Sequence, residues 1–308
     1  MNMAPGRTGW GTEGGEGQRA LLLMFVFVLA WALVEGVVGA QLQNPYSLMQ
    51  IVWCRYAAHL VLMLLVWGWR EPSRLWRTRR PVFHLLRSLC MLVMPLSFAM
   101  AVYAGDGMHT VWALFWIAPV LILALAAGWL RESVPLVAWL GVGVGLLAAW
   151  LMLDPRWPGS LGTLIWPLIM ASSFALYVVM TRSLRDEPVL TNLFYTALGV
   201  FAVLSLAMPW SWTVPTLHDA LVLTAIGVVG FGALWALDRA CEATQLSGTT
   251  PALYLHLAGM VGIESMARGA GLSRREMLAL GLIALIVVVA WMRQSPGRAA
   301  MRATLKSK

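Results

Sequence analysis

Apolar residues dominate ten stretches of the chain, each long enough to cross the roughly 30 Å hydrocarbon core of a bilayer as a helix. The predicted spans are 20–40, 48–69, 81–103, 109–130, 135–153, 160–181, 188–209, 218–238, 248–267 and 276–293. The connections between them are short and leave no room for a soluble domain. The pattern therefore predicts an all-α membrane protein with ten transmembrane helices.

Composition supports a lipid environment. Hydrophobic residues make up 60% of the chain and charged residues 12%, against about 25% charged residues in soluble domains. Cys54, Cys90 and Cys241 have neither disulfide nor metal-ligand spacing. The histidines are too scattered for a metal cluster, and no nucleotide-binding, zinc-protease or nucleophile-elbow motif is present. We expect no enzyme activity, metal site or cofactor.

The positive charges predict an orientation. With both termini in the cytoplasm, sixteen Lys and Arg residues fall inside and four outside, while Arg55 and Arg87 lie within segments. This bias follows the positive-inside rule and explains the net charge of +8 without nucleic acid. We expect a multi-pass protein of the cell (inner) membrane, with a disordered cytoplasmic N-terminus over 1–18 and a basic cytoplasmic tail over 294–308.

Two halves of five segments indicate an internal repeat. A shift of 140 residues aligns Gly141 with Gly281 and Arg55 with Tyr195. Because five is odd, the halves 19–153 and 160–293 must enter the membrane from opposite faces, which predicts inverted repeats with a site at their interface. Arg19 and "VVGA" also fit a cleaved signal peptide over the first segment, but cleavage would remove this symmetry.

Ionisable residues within the segments are the first candidates for a binding site. Arg55 lies about seven residues into the second helix, or roughly 10 Å from its outer end, and Glu35 and Glu264 share this depth. We predict an Arg55–Glu35 ion pair, with Glu264 as a second partner, and a surplus carboxylate that holds a proton or attracts a substrate amine. The alternative is that Arg55 snorkels to the outer headgroups.

Aromatic residues in the middle of the segments form a second group of candidates. Trp112 and Trp116 share a helix face at i,i+4, and Tyr177, Trp235 and Tyr254 lie deep in later helices. Around one cavity these rings would stack on a planar substrate or hold a cation. Ordinary packing against lipid or other helices is the alternative.

Two residues of the fourth segment are candidates for conformational roles. Pro119 removes a backbone hydrogen bond in mid-helix and predicts a kink with a role in gating or in packing. Glu132 lies beside Arg131 at the cytoplasmic end, where a solvated charge pair explains it. Gly141, Gly143 and Gly145 predict close helix–helix approach.

Several sequence pieces resemble one family. They are "VWCRYAAHLVLML", "WIAPVLILALAAGWLRESVPLVAWLGVGVGLL" and "MASSFALYVVMTRSL". The chain is similar to the ten-helix EamA-type branch of the drug/metabolite transporter superfamily. This resemblance implies a carrier of small metabolites such as amino acids or amines, frequently an exporter. The second half departs from the family pattern, because Ala258 and Gly259 stand where Ala118 and Pro119 would be matched.

The sequence thus predicts a transporter of a small organic metabolite that works by alternating access. Its expected partners are the solute, the lipid bilayer and protons as a candidate coupling ion, and both monomer and homodimer remain open. A non-transporting receptor or structural membrane protein is the alternative.

Overall fold

A computed structural model describes residues 13–42, 45–70, 72–105, 107–155, 161–269 and 271–294. These residues are almost entirely helical and contain no β-strand. The N-terminal residues 1–12, part of the linker between the proposed halves and the tail 295–308 lie outside the described residues. Residues 13–18 were expected to be disordered but form the first turns of a helix.

In the part of the chain that the structure describes, ten helices, numbered α1 to α10, account for the apolar segments. They are α1 Glu13–Val37, α2 Leu48–Met63, α3 Pro81–Tyr103, α4 in two halves (Met108–Phe115 and Ala118–Gly128), α5 Leu136–Leu153, α6 Ile165–Ser183, α7 Val189–Ser205, α8 Leu217–Ala243, α9 Leu255–Arg268 and α10 Arg274–Arg293. Short helices span Ser73–Trp76, Met208–Ser211 and Leu246–Thr249, 3₁₀ turns span Leu161–Leu164 and Thr250–Tyr254, and π-helical turns extend α1 over Val38–Leu42 and α2 over Leu64–Gly68.

The fold is that of an all-α membrane protein. Among the described residues, eight helices are long and apolar enough to cross a membrane by length and composition, and α7 is apolar but has only 17 residues. The segment predicted at 248–267 is not one straight helix, because the turn Thr250–Tyr254, which contains Pro251, precedes α9. The predicted fold class is confirmed, whereas the count of ten membrane crossings stays a prediction.

Local sequence signals set several helix ends. Ser47, Thr216 and Ser273 each accept a hydrogen bond from a backbone N–H of the first turn that follows. At α10 this forms a capping box, since Glu276 returns a hydrogen bond to the backbone of Ser273. Helix α4 is interrupted at Trp116 and Ile117, so that Pro119 lies in the first turn of its second half, where a missing N–H costs nothing.

Small residues allow close packing at the centre of the bundle. A Cβ on Gly145 of α5 would meet the Tyr254 ring at 2.1 Å, whereas one on Gly143 would meet nothing within 4 Å. The hydroxyl of Tyr254 donates to the carbonyl oxygen of Trp116 at 3.0 Å, which joins α4, α5 and the turn before α9. The predicted close approach therefore holds for Gly145 and does not extend to Gly143.

The two ends of the bundle are distinguished by their connecting segments. At one end the cluster Arg77–Arg80 lies beside the connection between α6 and α7, where the N–H of Arg79 donates to Glu187. At the other end Gln50 bonds to the backbone of Thr213. The first is called the arginine-rich end below, and the second the opposite end.

Candidate functional site

A cavity of about 300 Å³ lies among α1, α2, α3, α4, α6, α8 and α9. Its wall is mostly apolar and contains two kinds of large side chain. Aromatic rings are contributed by Phe27, Trp31, Tyr56, Phe98, Trp112 and Phe174, and thioethers by Met91, Met94, Met108, Met170 and Met260. A volume of this size fits a small ligand, and flexible thioethers adapt to ligands of different shape.

The cavity extends toward the opposite end of the bundle. Its wall includes Val38 and Gly39 at the end of the first segment, Leu48 at the start of α2 and Met108 at the start of α4. These positions adjoin the connections at the opposite end, whereas the wall contains no described residue from the arginine-rich end. The described structure is therefore a conformation whose cavity lies toward one face.

Glu35 is one of two charged residues among the described residues that line the cavity. Trp31, one turn earlier in α1, donates its indole N–H to Oε1 of Glu35 at 2.5 Å. The Nε2 atom of His256 lies 3.1 Å from Oε2, at ion-pair distance but outside hydrogen-bond geometry. The carboxylate is thus oriented by α1 and α9, and its side chain remains 21% exposed.

Arg55 is the second charged residue of this wall. Its side chain lies against α8, where a Cβ on Gly230 would stand 3.2 Å from Cδ of Arg55. The guanidinium carbon lies 5.1 Å from the centroid of the Tyr56 ring. Within the described residues Nε is buried without a hydrogen-bond partner, and no ion pair joins Arg55 to Glu35. The direct pair predicted from their common depth is therefore replaced by contacts of each residue with a different helix.

Trp112 is the third predicted site residue on the cavity wall. Its ring centroid lies 5.7 Å from that of Phe98 and 6.3 Å from that of His256. The structure thus brings together Glu35, Arg55 and Trp112 around one space.

Three other predicted aromatic residues are buried but do not line the cavity. Trp116 and Tyr254 pack against each other at 5.4 Å between ring centroids, in the joint between α4 and α5. Tyr177 does not line the cavity. Its hydroxyl accepts a hydrogen bond from Arg87 at 3.0 Å. These rings support the bundle around the cavity.

The remaining predicted residues lie further away. Trp235 is exposed on α8, with the guanidinium of Arg239 5.7 Å from its ring. Glu264 is exposed near the end of α9 and is absent from the cavity wall. Pro119 is buried at the interruption of α4 and does not line the cavity either.

A fully buried ion pair lies beyond the cavity, toward the arginine-rich end. Arg87 of α3 donates to Asp238 of α8 at 2.9 Å and to Thr181 of α6 at 2.8 Å. Its Nη1 donates to the carbonyl oxygen of Asn192 and to the hydroxyl of Thr196, both in α7. With Tyr177, these acceptors satisfy all five N–H groups of the guanidinium.

Helical spacing places this cluster one turn from the cavity wall. Arg87 is four residues before Met91, and Asp238 is four residues after Leu234, and both of these neighbours line the cavity. Arg87 lies inside an apolar segment of the sequence, but no role was predicted for it or for Asp238. The available signal was the presence of two opposite charges within apolar helices, which is costly unless they are paired.

A second ion pair lies closer to the arginine-rich end. Glu132, after the second half of α4, accepts from Nε of Arg182 in α6 at 2.8 Å and from the N–H of Leu246 at 2.9 Å. Arg182 also donates to the carbonyl oxygen of Cys241 in α8 at 2.6 Å. The Glu132 side chain is only 7% exposed, so the expected solvated pair with Arg131 is wrong. Glu132 instead joins three helix ends.

Comparisons with known proteins point to transport. The chain is 23% identical over 235 residues to the S-adenosylmethionine uptake transporter of Rickettsia prowazekii (strain Madrid E), covering 76% of this chain and 79% of the relative. It is 26% identical over 242 residues to the riboflavin transporter of Vibrio cholerae serotype O1, covering 75% and 78%. No family model matches the chain.

A solved crystal structure supports the fold independently. It matches with a TM-score of 0.71 and 18% sequence identity, covering 88% of this chain and 96% of the other. At this identity the match shows the fold alone. The apolar helices and the transporter relatives together define a class, that of multi-pass membrane transporters.

Proposed function

We propose that this protein imports a small organic solute with a planar ring by alternating access at the cavity. The observation that carries the proposal is the wall itself, in which Trp31, Trp112 and Phe174 surround a space that also contains Glu35 and Arg55. Aromatic faces stack on planar rings, and the two charges supply orientation. The relatives are named for S-adenosylmethionine and riboflavin, both of which contain a fused heterocycle.

Import replaces the export that the sequence resemblance favoured. The Rickettsia relative is named as an uptake transporter, and this is the support for direction. With the orientation given by the positive-inside rule, the cavity of the described conformation would face the outside, where an importer receives its solute.

Inverted repeats are part of the proposal, and the helix packing supports them. An inverted repeat exchanges each helix of the first half with the helix five places later. This exchange turns the contacts of α1 with α8 and α9 into contacts of α6 with α3 and α4, and all four contacts are present. The same exchange relates the α2–α8 contact to the α7–α3 contact, and relates the pairs α2–α7 and α5–α10 to themselves. Such pseudo-symmetry allows two conformations of similar energy with the cavity facing opposite sides.

The two ion pairs would close the path from the cavity to the arginine-rich end. Arg87–Asp238 joins α3 to α8, and Glu132–Arg182 joins α4 to α6. Because alternating access requires this side to open, we expect the more exposed Glu132–Arg182 pair to separate first. A buried charge that loses its partner is costly, and the cost is larger for the fully buried Arg87–Asp238 pair than for Glu132–Arg182, whose side chains are 7% and 11% exposed.

Counterflow in proteoliposomes tests the proposal. Vesicles preloaded with unlabelled S-adenosylmethionine or riboflavin receive the same solute with a radiolabel outside, and the trapped label is counted with and without a pH gradient. We expect transient, saturable accumulation of one of the two, absent from protein-free vesicles. Specific binding without counterflow would instead indicate a receptor, and accumulation that depends on the gradient would identify protons as the coupling ion.

Direction requires a separate measurement. Intact cells that express the protein should take up the labelled solute, whereas inside-out vesicles that carry an inward-directed solute gradient report the reverse reaction. Net uptake by cells at a low external concentration supports import, and net loss of a preloaded solute under the same conditions contradicts it.

A further inference from the structure

Glu35 and Arg55 carry opposite charges on one cavity wall but do not pair with each other. Opposite charges in a medium of low dielectric constant attract each other strongly, and an unpaired charge within a membrane is costly. A wall that keeps the two apart therefore needs contacts that hold each one in place. The structure provides such contacts on both sides of the cavity.

Arg55 is held by its hydrocarbon stem. The side chain lies over Gly230 of α8, where a Cβ would crowd Cδ and Cγ of Arg55 at 3.2 and 3.6 Å. A Cβ on Gly227 would meet the backbone of Arg55 at 3.2 Å, so the two glycines bring α2 and α8 together at this residue. The stem is thus fixed by packing, while Nε has no hydrogen-bond partner among the described residues. A planar guanidinium held in this way is suited to a carboxylate, which it binds through two parallel hydrogen bonds.

Glu35 lies in an aromatic environment. Trp31 fixes one carboxylate oxygen, and its ring contacts Phe174 at 5.2 Å and Phe27 at 5.5 Å between centroids. Trp112 completes this part of the wall. A carboxylate in a cavity wall lined by aromatic rings is suited to an organic cation, because ring faces and a carboxylate both attract positive charge.

We infer that the cavity recognises a zwitterion, with the cationic group of the solute at Glu35 and its carboxylate at Arg55. This inference rests on the proposed function and adds the charge pattern of the solute. A zwitterion compensates both charges of the wall at once. A solute with one charge, or with none, leaves a desolvated charge without a partner.

Binding to the detergent-solubilised full-length protein tests the inference with three related compounds. S-adenosylmethionine carries cationic groups and a carboxylate, decarboxylated S-adenosylmethionine lacks only the carboxylate, and methylthioadenosine carries neither charge. Each is titrated by calorimetry into the wild type, Arg55→Gln and Glu35→Gln. Asp154→Asn and Arg275→Gln are matched controls, because these side chains form an exposed pair away from the cavity.

Each variant should lose affinity for a different set of compounds. Arg55→Gln should weaken S-adenosylmethionine by about tenfold or more, the scale of a hydrogen-bonded charge, and leave the decarboxylated compound unweakened. Glu35→Gln should weaken both cationic compounds by a similar factor. Methylthioadenosine should bind both variants as it binds the wild type, which also shows that the cavity has kept its shape.

Three binding results would overturn the inference. They are absence of S-adenosylmethionine binding to the wild type, equal losses for all three compounds in both variants, and weakening of the decarboxylated compound by Arg55→Gln. Counterflow of riboflavin that neither substitution affects would refute the zwitterion while leaving transport established. Absence of counterflow for every solute would instead refute the proposed function.

Discussion

The guanidinium of Arg87 and the carboxylate of Asp238 meet at 2.9 Å, with 0% and 1% of their side chains exposed. Together with the acceptors from α6 and α7, this contact joins four helices one turn beyond the cavity. If the bundle works by the proposed alternating access, a fully satisfied buried charge cluster defines which helices move together. Helices α3, α6, α7 and α8 are therefore expected to remain associated at this level until the Glu132–Arg182 contact has opened.

The first prediction concerns the stability provided by this pair. Arg87→Met or Asp238→Leu leaves one charge buried without its partner, which we expect to cost about 3–5 kcal/mol. The double variant Arg87→Met/Asp238→Leu should be less destabilised than either single variant, because it removes both charges. Thermal unfolding of the purified proteins in detergent measures the three changes.

The exposed pair of Arg275 and Asp154 is the control for this experiment. These side chains are 63% and 71% exposed, and the corresponding substitutions should not shift the unfolding temperature measurably. A double variant whose destabilisation equals the sum of the single effects would show that Arg87 and Asp238 are not energetically coupled.

The second prediction concerns the arginine-rich end. Glu132→Gln removes the charge that holds Arg182 and weakens the acceptor of the Leu246 N–H, so the ends of α4, α6 and α8 should separate more often. Cys241 is buried at this junction, and its rate of alkylation by a maleimide should therefore rise. The measurement uses membranes that contain the protein with Cys54→Ser and Cys90→Ser as the background substitutions, so that Cys241 is its remaining thiol.

Arg239→Gln is a matched control at the same end. Arg239 pairs with Glu242 on an exposed part of α8, and its loss should leave the labelling rate of Cys241 unchanged. Equal rates in Glu132→Gln and the background protein would mean that the Glu132–Arg182 pair does not limit opening.

The fold could be predicted from the sequence because hydrophobicity is a local property of each segment. A run of about 20 apolar residues between charged ends specifies a helix of membrane length without reference to its neighbours. The interruption of α4 was also predictable, since Pro119 acts on its own helix. The break before α9 was missed because the short apolar turn around Pro251 resembles the continuation of a helix.

The site was less predictable because its contacts depend on helix rotation and on partners far along the chain. Counting residues from the outer helix ends predicted that Glu35 and Arg55 lie at the same depth in the membrane, and both line the cavity. Their predicted direct contact is absent among the described residues, because His256 reaches Glu35 from α9 while α2 holds Arg55 against α8. Arg87 and Asp238 are 151 residues apart, and no local pattern shows that they face each other.

The third prediction uses two neighbouring glycines of α5. Gly145→Ala places a methyl group within the Tyr254 ring position, and the displaced ring should cost about 1–3 kcal/mol of stability as an overpacked contact does. Gly143→Ala meets no atom within 4 Å, and alanine favours helix over glycine by about 1 kcal/mol at such a site. Thermal unfolding should therefore shift downward for Gly145→Ala and remain equal or rise for Gly143→Ala. Equal effects would contradict the tight contact between Gly145 and Tyr254.

The last prediction concerns the orientation of the bundle, which decides whether the cavity faces outward as proposed. Ser73→Cys places a thiol on the exposed short helix at the arginine-rich end, and Val214→Cys places one before α8 at the opposite end. In a background without the three native cysteines, a membrane-impermeant maleimide should label Val214→Cys in intact cells and Ser73→Cys only after permeabilisation, because basic connections are retained in the cytoplasm. As a control for reactivity, both variants should be labelled equally after lysis, which shows that each thiol can react. Labelling of Ser73→Cys in intact cells would reverse the orientation, and the cavity described here would then face the cytoplasm, which is the starting state of an exporter.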